Sequence, residues 1–253
     1  MSARRLLGRA VLLRGLALAG VLAVLWVAAT PIGRNLAWAA LRHTQRQYTV
    51  AERLQQYGPA ARLRWQPFFE EAQVSYPPGR VVLAAFKSER RMEVYAAATR
   101  DGQLSHLRTL PIRGASGELG PKLRQGDRQV PEGMYDIESL NPNSRFHLSL
   151  RLAYPNTFDR AIGAREGRTN LGGDIMIHGS FVSSGCLAMG DEAAEDLFIL
   201  VAETGLERVK TTLSPVDFRT TPYLVEATTS WVSELYDEIK RELQALPEGR
   251  GPG

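Results

Sequence analysis

The chain of 253 residues predicts a mainly β domain with flanking helices, an apolar segment ahead of it and a helix behind it. Three observations carry that expectation. Short runs rich in β-branched and aromatic residues, 81–86, 93–98 and 106–112, follow one another between turn residues, as in a meander. Apolar residues recur at helical spacing through 42–74 and again through 226–246. An uncharged apolar run fills 15–29 behind a cluster of arginines.

With 44% hydrophobic residues, a chain of this length can bury one full core and carry extensions. The formal charge is +4, but Arg4, Arg5, Arg9, Arg14 and Arg34 fall in the first 34 residues, where there is no acid. Removing those five leaves −1 for the remainder, so the charge gives no argument for nucleic acid as a partner. The run at 15–29 continues through Thr30–Gly33 to Arg34, a length between a signal-peptide core and a short membrane span. Arginines on its N-terminal side hold that end in the cytoplasm and send the rest outward. Small residues at Val27 and Ala29, or at Ala37 and Ala39, would permit cleavage. The expectation is an uncleaved anchor over 1–34, with the membrane as a partner and an exported domain beyond it.

Residues 35–79 read as a helical juxtamembrane segment, 42–56 and 60–74, interrupted near Gly58-Pro59 and again at Pro67. Such helices either space the domain from the membrane or pack on it. The catalytic domain is expected over 80–215. Its meander turns at 87–91 and at Asp101-Gly102. The glycine-rich stretch 113–133 reads as a loop over a cleft, with Lys122, Arg124, Asp127 and Arg128 placed to meet an acidic substrate. Strands 135–137 and 146–152 follow, joined by a turn at Asn141-Pro142-Asn143. Alternation would set Arg145 and His147 on one face. Residues 159–170 read as a mobile loop, 192–203 as a helix with Asp191 as its N-cap, and 208–213 as a closing strand. A C-terminal extension over 216–246 carries Trp231, Leu235, Ile239 and Leu243 on one helical stripe suited to packing on the domain, before a disordered tail at 247–253.

The chemistry concentrates in 174–189. Cys186 is the single cysteine, and His178 stands eight residues before it. A thiol needs a base or cation to become a good nucleophile near neutral pH, and imidazole suits that task. Residues 174–177 form a short apolar run that delivers His178 at a strand end, and Gly179 lets the chain turn away. Gly185 permits a tight turn that projects the thiol while nearby N–H groups stay free for an oxyanion. One thiol excludes an intramolecular disulfide. One cysteine and one histidine at this spacing lack the further ligands zinc requires, and no glycine-rich phosphate loop opens a helix, so no metal and no cofactor is expected.

The segment H-G-S-F-V-S-S-G-C-L-A-M, residues 178–189, resembles the active-site motif of the L,D-transpeptidase (YkuD-type) family and is closest to its YafK-like branch. Leu119-Gly120-Pro121-Lys122, Gln125-Gly126-Asp127, Pro131-Glu132-Gly133, 140–146 and Tyr154-Pro155-Asn156 resemble the branch's framework motifs in the same order. The resemblance covers roughly 80–215 and implies a β-sandwich or barrel core. It implies peptidoglycan stem peptides as substrate, with His178 as base and a thioester on Cys186 passed to an amine. The Gly179 carbonyl would orient the histidine, and Gly185 would serve the oxyanion. Many family members carry an arginine two residues after the cysteine, where this chain has Ala188. Substrate binding then falls to Arg128, Arg145, His147 and Ser184. The alternatives are an endopeptidase or amidase that cleaves peptidoglycan or its link to a lipoprotein, and a non-catalytic wall-binding module.

Overall fold

The computed structural model describes residues 46–221 and 230–247, with the isolated positions 19, 20, 22, 23, 26 and 30. Most of the expected anchor, the stretch 31–45, residues 222–229 and the tail from 248 lie outside the described residues. Among the described residues no helix is long and apolar enough to cross a membrane. Residues 48–253 make up one structural unit.

Helix α1, Val50–Ala72, starts at Thr49, whose hydroxyl caps the Glu52 N–H while the Glu52 carboxylate takes the Thr49 N–H. The described residues ahead of it, 46–49, are not helical, so the expected start at 42 is corrected to this capping box. The expected interruptions are also corrected, because the helix runs unbroken through Pro59 and Pro67. Both prolines and the residues four before them, Gln55 and Leu63, are exposed, so water can serve the two carbonyls that lose a partner. The opposite face buries Ala61, Trp65 and Phe69 in the core.

The sheet is mixed and nine-stranded, in the order β3-β2-β1-β9-β5-β6-β7-β8-β4, with β4 (Gly114–Ala115) paired to β8 at one edge. Strands β1 (Arg80–Phe86), β2 (Arg91–Ala97) and β3 (Ser105–Pro111) form the expected antiparallel meander. Strand β9, Val209–Ser214, was expected to close the sheet; instead it lies inside it, parallel to β1 and antiparallel to β5 (Gly133–Ser144). In place of the expected sandwich or barrel, the described strands form one mixed hydrogen-bonded sheet whose ends, β3 and β4, do not pair. Strand β1 is apolar from Val81 onward because both its faces are covered. Val81, Leu83 and Ala85 face the cluster holding α1 and helix α3 (Asp191–Thr204), while Val82, Ala84 and Phe86 face helix α4 (Ser230–Gln244). The stripe expected on α4, Trp231, Leu235, Ile239 and Leu243, is buried in that second cluster.

Two loop expectations are corrected. Strand β5 continues through 141–143, and the turn to β6 (His147–Leu152) falls at Arg145-Phe146, where a bulge shifts the register between Asn141 and Ser144. The stretch 159–170 holds most of helix α2, Thr157–Arg165, started by a capping box between Asn156 and Asp159 and anchored by Ile162. A buried apolar residue and a paired cap outweigh the charge and glycine that suggested a mobile loop.

Candidate active site

Strands β7 (Met176–His178) and β8 (Leu187–Ala188) are parallel neighbours, with Ile177 opposite Leu187 and His178 opposite Ala188. Ile177 and Leu187 both enter the core, so alternation puts Met176, His178, Cys186 and Ala188 on the other face. Cys186, one residue before β8, thus lies diagonal to His178 across the pair. The thiol donates toward the Asp174 carbonyl, 3.6 Å away.

His178 is buried, and its Nδ1 lies 2.5 Å from the Gly179 carbonyl oxygen. A carbonyl only accepts, so Nδ1 carries the proton and Nε2 is left with a lone pair. Phe146 stacks on the imidazole with centroids 4.8 Å apart. The chain bends at 179–180 as expected, and Gly179 is also there for room. A Cβ at this position would fall 2.5 Å from Asp191 Oδ1 and 2.8 Å from the Phe146 carbonyl oxygen.

The amides beside the thiol were expected to be free, and they are occupied. The Gly185 N–H donates to Ser116 Oγ at 2.6 Å, and Ser116 in turn donates to the Arg128 carbonyl at 2.7 Å. The Cys186 N–H donates to Ser183 Oγ at 3.1 Å, whose hydroxyl donates to the Cys186 carbonyl at 2.5 Å. An amide shielded from water takes an acceptor within reach, because leaving it unpaired costs about 1–3 kcal/mol. Gly185 itself has φ +95°, as the expected turn requires.

Burial dominates the electrostatics. It lowers the pKa of His178, partly countered by the bond to Gly179. It raises the Cys186 thiol, with the Met176 N–H and Lys122 pulling down and Asp174 pushing up. Both shifts favour a neutral thiol beside a neutral imidazole over an ion pair.

The remaining candidates separate. The Arg128 side chain is exposed, and its backbone lies against Gly185, with its carbonyl carbon 3.8 Å from where a Gly185 Cβ would sit. Arg145 is exposed in the turn beside Phe146, and Ser184 is exposed next to Gly185. His147 is corrected: at φ 72° it breaks the alternation with Arg145, its Nε2 lies 2.9 Å from Glu195 on α3, and its ring packs edge-on to Tyr57. Asp191 is the first residue of α3 rather than its cap, and its carboxylate takes the Ser180 N–H at 2.7 Å. Lys122 is buried and paired with Asp127. Sequence reasoning missed Ser116, Ser183, Phe146 and the Asp174 carbonyl. Only Ser183 left a signal, as a serine three residues before the amide it accepts.

A mixed sheet that brings one thiol and one neutral imidazole to the same face defines a sheet-borne thiol–imidazole centre. The chain belongs to the YkuD family, whose L,D-transpeptidase catalytic domain matches residues 80–217. Over 123 residues it is 39% identical to proteins named "Putative L,D-transpeptidase YafK" in Escherichia coli K12 and O157:H7. That match takes in 48% of this chain and 47% of the relative, so it spans about half the length of these curated proteins. Among solved structures, the helical cell shape determining protein Pgp2 of Campylobacter jejuni is 22% identical with a TM-score of 0.45, covering 54% of this chain and 48% of that one. Bdellovibrio bacteriovorus Bd1075 is 20% identical with a TM-score of 0.40, covering 67% and 56%. Mycobacterium tuberculosis L,D-transpeptidase 1 is 17% identical with a TM-score of 0.31, covering 53% and 62%.

Proposed function

We propose that this chain is an extracytoplasmic enzyme that acts on peptidoglycan stem peptides by acyl transfer through Cys186, with His178 as base. The observation that carries this is the imidazole whose Nδ1 proton is held by the Gly179 carbonyl, which leaves Nε2 on the face that Cys186 shares. In the first step the S–H proton passes to Nε2 and sulfur bonds to the amide carbon. The oxyanion takes over the Cys186 N–H from Ser183, a donor worth roughly 3 kcal/mol when well placed. The C–N bond then breaks, His178 returns the proton to the leaving amine, and a thioester remains for a second amine to attack. Arg128 and Arg145 bind substrate carboxylates at the rim, and Ser184 lies in the path of the peptide. The first 34 residues tether the domain to the inner membrane, and peptidoglycan-linked lipoprotein is a further substrate.

Hydrolysis is the second reading, favoured by one observation. The connection from His178 to Cys186 is short, with Phe181, Val182 and Ser184 exposed, so water has access to a thioester there. The test is intact mass of residues 35–253 incubated with muropeptide tetrapeptides and with lipoprotein-linked sacculi. A transient adduct on the native protein, absent from Cys186→Ala, is the expected result. A cross-linked product marks the transferase and a shortened one the hydrolase. No adduct and no product on either substrate leaves a wall-binding module.

A further inference from the structure

Two loops surround Cys186, and both are tied to a helix remote from it. The first, 116–130, holds the Gly185 amide through Ser116 and brings the Gln129 carbonyl oxygen within 3.5 Å of where a Gly185 Cβ would sit. Beneath it lies Glu132, 1% exposed. Its Oε1 accepts the Gly120 N–H at 2.8 Å and Lys87 Nζ at 2.9 Å. Lys87 also donates to the carbonyls of Gly120 and Val130. The other carboxylate oxygen takes the Tyr236 hydroxyl at 2.6 Å. The second loop, 166–174, ends at the carbonyl that accepts the thiol. At its start, Glu166 accepts Trp231 Nε1 at 2.6 Å. The loops are also bonded to each other, Arg168 to the Leu123 carbonyl and the Gln125 N–H to the Asn170 carbonyl.

Trp231 and Tyr236 sit on the apolar stripe of α4, beyond the matched residues 80–217. Covering the sheet needs only their rings. Their two polar atoms each meet a carboxylate that holds or begins one of these loops, and the loops converge on one thiol.

We propose that α4 is a positioning element for the Cys186 site, bracing one loop through Tyr236 on Glu132 and the other through Trp231 on Glu166. This rests on Cys186 being the reacting group. Without its hydroxyl partner, a buried carboxylate oxygen is relieved only if Glu132 and the loop it holds through the Gly120 N–H shift, and the Ser116 bond to the Gly185 amide shifts with them.

The test uses Tyr236→Phe and Trp231→Phe in the full chain, since each keeps an aromatic ring in the core. Hydrogen exchange read by mass spectrometry is expected to speed up about tenfold over 116–130 and 183–187 in Tyr236→Phe, the fold-change of one lost buried charge-assisted bond, and about twofold over 166–174 in Trp231→Phe, since Glu166 is exposed and water takes the freed oxygen. Residues 80–97 are expected to exchange as before. Alkylation of Cys186 by iodoacetamide at pH 7 rises several-fold as the thiol opens to water, while turnover shows a lower kcat at unchanged KM. Unchanged exchange in the loops, or an equal rise across 80–97, overturns the proposal by leaving α4 only a general stabilising role. Loosened loops in a protein that forms no adduct with muropeptides would uphold the brace and remove the acyl-transfer reading.

Discussion

Arg128, His147, Asp174 and Ser180 all have positive φ, at 57°, 72°, 56° and 63°, a conformation non-glycine residues seldom adopt. All four lie in the segments around His178 and Cys186, where such strain is held by surrounding bonds. At Asp174, whose carboxylate meets Arg151 at 2.8 Å, this backbone conformation aims the carbonyl at the thiol. None of this was legible in the sequence, which displays side chains and not the carbonyls and amides that ring the sulfur. His178, Gly179, Gly185 and Cys186 were legible because their types and spacing are chemically unusual. Two predictions belong to this scale. A base must be neutral, and burial lowers the pKa of His178, so neutral imidazole persists further into acid. The acid limb of kcat/KM is therefore expected to fall away below the ordinary histidine value of about 6.5, and an inflection above it would contradict the assignment. Gly185→Ala is expected to cost about 1–2 kcal/mol in denaturant unfolding. The cost lies in backbone strain, since the nearest atom to the new Cβ is 3.5 Å away.

Among the elements, α1 and α2 carry the clearest tests. Trp65 on α1 is fully buried, and its indole N–H donates to the Asp196 carbonyl at 2.9 Å. The Asp196 carboxylate, itself buried in α3, takes Arg64 from α1 and Arg108 from β3. Helix α1 is thus built into the domain, and Trp65→Ala is expected to destabilise it by about 3–5 kcal/mol, measured by denaturant unfolding. On α2, burial holds the Asp159 carboxyl up at about 6, above an unfolded value near 3.9. Between those values the native state keeps a proton that the unfolded chain has released, so this group's contribution to stability declines as pH rises from about 4 to 6. Asp159→Asn lacks that loss and is expected to gain on the native protein over this range by up to about 3 kcal/mol, read from paired unfolding curves. The meander and α4 were legible because long periodic runs and the Asp101-Gly102 turn speak for themselves. The continuity of α1 was not, since proline argues locally for a break while its tolerance depends on which face meets water. Helix α2 hid in a charged stretch, although Asn156 and Asp159 stand at the capping-box spacing.

For the whole molecule, the matched residues 80–217 leave out helices α1 and α4, which pack on the sheet. One face of the sheet is covered by Trp65 and Phe69, the other by Trp231, Leu235, Ile239 and Leu243. A fragment limited to 80–217 is expected to aggregate or lack a cooperative melt, whereas 48–253 should fold; circular dichroism on the two would decide. The central place of β9 was illegible, because strand order depends on pairings far apart in the chain. That strand has a consequence in time. Residues 80–112 can pair among themselves early in synthesis, and the strands carrying the histidine and cysteine can pair as they follow, but the two groups join only through Val209–Ser214. Vectorial production therefore delivers Cys186 before the strand that joins the two groups has emerged.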